Sequence, residues 1–440
     1  WKSRVKNILR QQQQYMLVTK LQLKLAIPLL IAISIIIIVA VKRDGVSSRF
    51  ATLYAQCLCL PTKIREAGNG YANVSAAKIA IPATDWDTLI LTSRYHNIDS
   101  KKIEQLWAST VRIYLHSSLW TDADAEDAGL ELIVPLHAAF LLKEKAWQQD
   151  FSQHFHRFML TDRSSFAEGR LNQLHYLYLV SRFIVLAAEN AHLQLIPSGL
   201  VDLLNARVHN LWKVEPAWQW ERKEFSGGIK ERVAWKLSHK AVSPSYYRAI
   251  TDEELYLFAI GADLRTYKQL TGENSSISEC LTDILNVTGR IFREEIKQTE
   301  NGGWLFQPGV WSDHPDYAYV NRQDKKGGIC PAPIADIAWD TSHSTRFPLF
   351  LTSFANAYTK DAPEKAYYEK LKRGLEVQLL KHVLIPPTSD FPNYRTTNFM
   401  DGHNGIYRWE SPTQGKGNGY GQYELSGTFL IGWWSFLDSD

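Results

Sequence analysis

Between about residue 86 and residue 212, apolar residues recur every third or fourth position in several segments separated by polar breaks. That period belongs to helices with one face turned to a core. The spacing predicts helices over 103–119, 125–142, 171–188 and 200–211, stacked as antiparallel pairs. Asp99 or Ser100 stands ahead of the first and Pro197-Ser198 ahead of the last, residue types that open helices. Around Trp218 the rhythm changes. Ala217-Trp218-Gln219-Trp220-Glu221-Arg222 and residues 229–235 flank Ser226-Gly227-Gly228, which reads as two strands and a turn. Thr251-Asp252-Glu253-Glu254 then opens a helix reaching Leu270, with Asp252 as a candidate cap. Further helices are expected over about 278–296, 348–358, 363–380 and 423–437. No linker rich in Pro, Ser or charge divides residues 42–440, so they are expected to form one mainly α domain.

The amino-terminal pattern is different. Residues 25–41 are apolar or small, interrupted only by Pro28 and Ser34, which reaches the lower limit for a bilayer-crossing helix. Lys2, Arg4, Lys6, Arg10, Lys20 and Lys24 precede the run, against Lys42, Arg43 and Arg49 after it. This excess places a basic tail, residues 1–24, in the cytoplasm and the domain in the periplasm or another extracytoplasmic space. No small-residue cleavage site follows the run, so an uncleaved single-pass anchor is expected.

Composition narrows the function. A formal charge of +3 over 440 residues leaves the domain almost neutral, and nothing in it points to a nucleic-acid partner, which requires a basic stripe. Cys57 and Cys59 lie near the apolar run, and Cys280 and Cys330 lie far apart. They form no CxxC metal motif, and for the latter two a disulfide and free thiols both stay open. Asn73, Asn274 and Asn286 head glycosylation sequons. Nucleophile-elbow, phosphate-loop and dinucleotide fingerprints are absent.

Chemistry concentrates in residues 301–424, where Gly, Asp, His, Arg and aromatic residues interrupt the helices. Three words stand out: Ser312-Asp313-His314-Pro315-Asp316-Tyr317, Asp340-Thr341-Ser342-His343-Ser344-Thr345-Arg346, and Asp401-Gly402-His403-Asn404 running on to Tyr407-Arg408-Trp409. Sugar binding needs flat apolar faces and fixed polar groups. Trp218, Trp220, Trp304, Trp311, Trp339, Tyr407, Trp409 and Tyr420 are candidate faces, and Arg346, Asn404 and Arg408 candidate donors. Asp340, Asp401 and Glu424, followed by Asp252 and Glu253, are candidate carboxylates for glycoside hydrolysis, which uses a protonated and an ionised carboxyl group. Elimination from a uronic acid needs instead a base and a group that neutralises the sugar carboxylate. His343 with Arg346, and His403 with Asn404, Tyr407 and Arg408, meet that demand, Asp340 then orienting His343. The Asp and His residues also permit a metal, but their spacings differ and match no strong ligand signature. No cofactor is expected.

Counting the less certain segments, there are about a dozen helices after the anchor. With the Trp-rich hairpin and the aromatic, acid and His loops before late helices, the chain resembles in general plan the α/α-toroid carbohydrate-active enzymes, which include glycoside hydrolases and polysaccharide lyases. The resemblance implies an (α/α)6-like ring with a cleft at one end that binds a polysaccharide or oligosaccharide. Paired-carboxylate hydrolysis is the first expectation. Lyase chemistry is the second, and a non-catalytic glycan-binding component docking with envelope assembly proteins the third.

Overall fold

The structure, a computed structural model, describes residues 100–162, 166–219, 223–273, 277–409 and 419–437. The basic tail, the anchor segment 25–41, Cys57, Cys59, Trp220, Asn73 and Asn274 lie outside them. Among the described residues no helix is long and apolar enough to cross a membrane.

The described chain is mainly helical. Helix α1 (Ser100–Trp107) continues through Ala108–Arg112 and Ile113–Leu115. The single helix expected over 125–142 is two, α2 (Asp122–Glu131) and α3 (Ile133–Leu141). Pro135 has no N–H for the Glu131 carbonyl, so the ladder breaks there. Then come α4 (Lys145–Leu160), α5 (Arg170–Glu189) and α6 (Leu200–Lys213), the last two within two residues of the bounds read from the periodicity.

The expected hairpin forms with a different second strand. Strand β1 (Ala217–Trp218) pairs antiparallel with β2 (Glu224–Phe225), Ala217 facing Phe225. Residues 229–235 belong instead to helix α7 (Gly228–Ser238), whose buried side chains are Ile229, Arg232, Val233, Lys236 and Leu237. Two of those positions are charged, which hides the helical stripe from a hydropathy reading. Gly228 has φ 75°, and a Cβ on it would stand 2.7 Å from the Trp212 carbonyl oxygen, so glycine is what lets α7 start against α6.

Helix α8 (Asp252–Thr271) opens with a Thr251/Glu254 capping box, and α9 (Ser278–Glu294) follows. A hairpin of β3 (Ile296–Gln298) and β4 (Trp304–Phe306) leads into the long loop before α10 (Thr341–Ser344), α11 (Phe347–Asn356) and α12 (Pro363–Gln378). Strands β5 (Leu384–Ile385) and β6 (Arg395–Thr396) pair. The helix expected over 423–437 is two 3-10 stretches, Glu424–Ile431 and Trp433–Phe436, separated by Gly432 at φ 84°.

Helix α5 is central, with every residue from 174 to 187 buried, and it packs against α2, α3 and α8. Within this core the Arg182 guanidinium contacts Asp263 of α8 at 2.6 Å and the Ser353 hydroxyl of α11 at 3.3 Å. A buried charge survives only when paired, so this contact fixes how the three helices meet. At the far end of the sequence, the Trp433 indole donates to the Leu130 carbonyl across 303 residues.

Candidate functional site

The word around His343 folds into a short helix because Asp340 caps it: one carboxylate oxygen accepts the His343 backbone N–H at 3.1 Å. The same carboxylate accepts from the Tyr317 hydroxyl at 2.8 Å and from Ser342, and lies 2.8 Å from Nδ1 of the His343 ring. Nδ1 therefore carries the ring proton, leaving Nε2 as the working nitrogen. Nε2 lies 3.7 Å from Oδ2 of Asp252, which is also ion-paired with Arg346. Asp340, His343, Asp252 and Arg346 thus form a continuous chain of alternating charge. Its His343 side chain keeps 24% of its surface open, against 1% for Asp340.

Burial opposes every charge here, and the partners decide the outcome. For Asp340, burial alone would raise the pKa, yet the His343 charge and the hydrogen bonds from His343, Ser342 and Tyr317 hold the carboxyl far below the usual range. Burial pulls His343 down, but Asp340 and Asp252 together raise it above its ordinary value. Tyr407, whose ring meets that of His343 edge-on at 6.5 Å, is pushed well up by burial and by the Asp340 charge.

Asp252 is not the helix cap. Thr251 and Glu254 perform that role for α8, and Asp252 is its first helical residue. Its carboxylate, favoured by the positive end of the helix, is thereby turned to Arg346 and His343. Its neighbour Glu253 pairs with Arg170 and Arg232 instead.

The other expected carboxylates lie in separate contacts. Asp401 accepts from the Ala338 N–H at 2.9 Å and from the His403 backbone N–H at 3.0 Å, and pairs with the His403 ring. It is a loop fastener, and among the described residues no hydrogen bond or ion pair joins Asp401 or His403 to Asp340 or His343. Glu424 takes the Gly421 N–H and pairs with Lys325 at 2.7 Å. Among the described residues, then, Asp340 is engaged by His343, Ser342 and Tyr317, Asp401 by Ala338 and His403, and Glu424 by Gly421 and Lys325, and no hydrogen bond or ion pair links these three carboxylates to one another.

The candidate binding residues divide likewise. Trp304, expected in a cleft, is buried and donates to the Leu371 carbonyl at 2.6 Å, so it is a core residue. Trp339 and Trp409 are also buried, Trp409 packing with Tyr319 and Ile406. Asn404 spends its carbonyl oxygen on the N–H groups of Asn398 and Tyr423. Arg346 is buried inside the charge chain rather than displayed as a donor. Nearer the surface, Trp311 stacks on Tyr317 at 5.8 Å, and the 41%-exposed Tyr420 stacks on Tyr407 at 6.2 Å. Arg408, at φ 57°, anchors its Nε on Asp316 at 2.9 Å while its guanidinium lies 5.1 Å from the Tyr407 ring. Trp218 is half exposed on β1. Tyr317 was missed as a site residue because its hydroxyl reaches Asp340 across 23 positions, which no local pattern reports.

Cys280 is buried and Cys330 exposed, both as free thiols, so the disulfide reading falls. Among the described residues there is no cluster of three His, Cys, Asp or Glu able to hold a metal ion. The chain matches no protein-family model, and comparisons with curated proteins and with solved structures give no match.

Proposed function

We propose that this chain is a membrane-anchored, extracytoplasmic polysaccharide-processing enzyme of the α/α-toroid plan, and that it works by proton abstraction at His343. The observation that carries this reading is the imidazole held between Asp340 and Asp252 in a side chain that keeps 24% of its surface open. Such a ring is a strengthened base, because both carboxylates stabilise the imidazolium that forms when Nε2 takes a proton.

The reaction class that fits is elimination from a uronic-acid-containing chain. His343 removes the proton at C5 of the uronate, that electron pair forms the C4–C5 double bond, and the C4–O bond breaks. The departing oxygen takes a proton, giving one fragment with an unsaturated uronate end and one with a free hydroxyl. Arg408, exposed over 38% of its side chain and with its guanidinium 5.1 Å from the Tyr407 ring, is the cation assigned to face the sugar carboxylate. Tyr420 stacked on Tyr407 offers a ring surface beside it. Paired-carboxylate hydrolysis, the first expectation from sequence, is less well supported. Asp340 is closed off by its own hydrogen bonds and held ionised, and Asp401 and Glu424 are committed elsewhere.

Substitution separates the readings. On a chain substrate, His343→Gln should lower kcat by about a thousandfold, whereas Asp401→Asn and Glu424→Gln should keep most of the activity. Full activity in His343→Gln, or an equal loss in all three variants, contradicts the assignment.

A further inference from the structure

Arg395 of β6 carries a charge that nothing among the described residues matches. Its guanidinium lies 4.6 Å from the centre of the Phe391 ring and 4.2 Å from that of Tyr423, yet among the described residues it makes no hydrogen bond and no ion pair. The acids beside this clamp are engaged elsewhere: Glu424 takes Lys325 and the Gly421 N–H, and Asp390 accepts from the Ser389 hydroxyl at 3.2 Å. Of the Arg395 side-chain nitrogens only Nε is closed to solvent, and the residue is half-buried, as are Phe391 and Tyr423. The Nη edge is therefore the part turned outward.

The backbone fixes both rings. Thr388 donates its N–H to the Phe391 carbonyl at 2.8 Å, which turns the loop after β5 back on itself. Tyr423 takes φ 63°, a left-handed conformation uncommon for a residue with a Cβ, and its N–H is held by Asn404 Oδ1 at 3.0 Å. A guanidinium braced by rings loses little further freedom when an anion arrives, and its fork of N–H donors matches the two oxygens of a carboxylate. The clamp also belongs to the layer that carries the reaction. Phe399, on the same segment as Arg395, pairs with Asp340, and the chain from Arg395 to Phe399 spans at most about 14 Å. Tyr423 follows closely on Tyr420, the ring stacked on Tyr407. A chain with one unit at His343 and further units over Tyr420 runs toward Arg395.

We propose that Arg395, braced by Phe391 and Tyr423, is a second carboxylate subsite: it takes the carboxylate of a uronate unit other than the one that loses its C5 proton, so that the substrate is a chain with carboxylates on more than one unit. This deepens the elimination reading and rests on it. Arg408 faces the reacting unit, and Arg395 a unit further along.

The test is calorimetric titration of the full chain with short oligogalacturonates, oligomannuronates and oligoglucuronates, and with the same oligomers after reduction of their carboxylates to alcohols. At least one oligouronate should bind, and Arg395→Gln should weaken it by about tenfold or more while leaving any binding of the reduced oligomer unchanged. Arg395→Lys, which keeps the charge without the fork, should recover only part of the loss. In turnover, Arg395→Gln should raise KM with kcat nearly unchanged, since the contact is the same in the ground and transition states. Undiminished oligouronate affinity in Arg395→Gln, with or without a lower thermal midpoint, would show that the arginine only braces the loop and would overturn the subsite. An equal loss for the reduced oligomer, or no oligouronate binding by the native chain, would overturn it too. Where Arg395→Gln does not fold, Arg395→Lys decides: weakened binding supports the subsite and native affinity overturns it. Binding that depends on Arg395 but yields no unsaturated product would instead overturn elimination and leave the subsite standing.

Discussion

His343 is defined by its two sides. Asp340 fixes the proton on Nδ1, and Asp252 faces Nε2 at 3.7 Å, so both carboxylates favour the charged ring. Because the base must be neutral to accept a proton, the rate should rise with pH through a midpoint above the ordinary histidine value of about 6.5. Asp340→Asn removes one of the charges that raise it. In that variant the acid limb of the kcat/KM profile should move to lower pH while the plateau falls; an unshifted limb would show that Asp340 does not set the titration. At this scale the sequence was partly legible. Asp340 and His343 are three residues apart, and an Asp that caps a short helix necessarily lies close to that histidine. Asp252 was ambiguous, since an acid at a helix start is ordinarily explained by the backbone alone. Asp401-His403 looked equally chemical on paper, and it is spent on holding a loop.

Among the elements, α5 and α8 carry the site and the core together. Asp252 and Asp263 both lie on α8 and Arg182 on α5, so the alignment of these helices fixes the buried ion pair while α8 also sets Asp252 beside His343. Arg182→Met should cost about 3–5 kcal/mol by leaving Asp263 buried without its partner. Replacing both, as Arg182→Met with Asp263→Leu, should cost markedly less, and chemical denaturation of the two variants measures the difference. A double variant less stable than the single would mean that the pair contributes more than mutual neutralisation. Helix α5 could be read closely from its long apolar run, and α8 from Thr251 and Glu254. Helix α7 could not, because Arg232 and Lys236 are buried by pairing with Glu254, so its inward face is partly charged. The β3–β4 hairpin escaped notice because each strand is three residues long, too short to show alternation.

Across the whole molecule, the last 3-10 stretch returns to the first helices. Trp433 is fully buried and donates to Leu130, and its ring lies near Tyr178 of α5 and Phe350 of α11. Trp433→Ala should therefore lower stability by about 3–5 kcal/mol, read from the denaturant midpoint; a loss below about 1 kcal/mol would show that the two ends of the domain are not mutually dependent. The mainly helical class was evident from periodicity. Which loops share contacts was not, because the Tyr317–Asp340 hydrogen bond and the Asp252–Arg346 ion pair join distant segments. The reading of those segments as an eliminating centre is tested most directly by incubating the full chain with uronic-acid polysaccharides and recording absorbance near the ultraviolet edge. The account predicts a rise from unsaturated uronate ends that disappears in His343→Gln. Chain cleavage that produces only saturated reducing ends would contradict it.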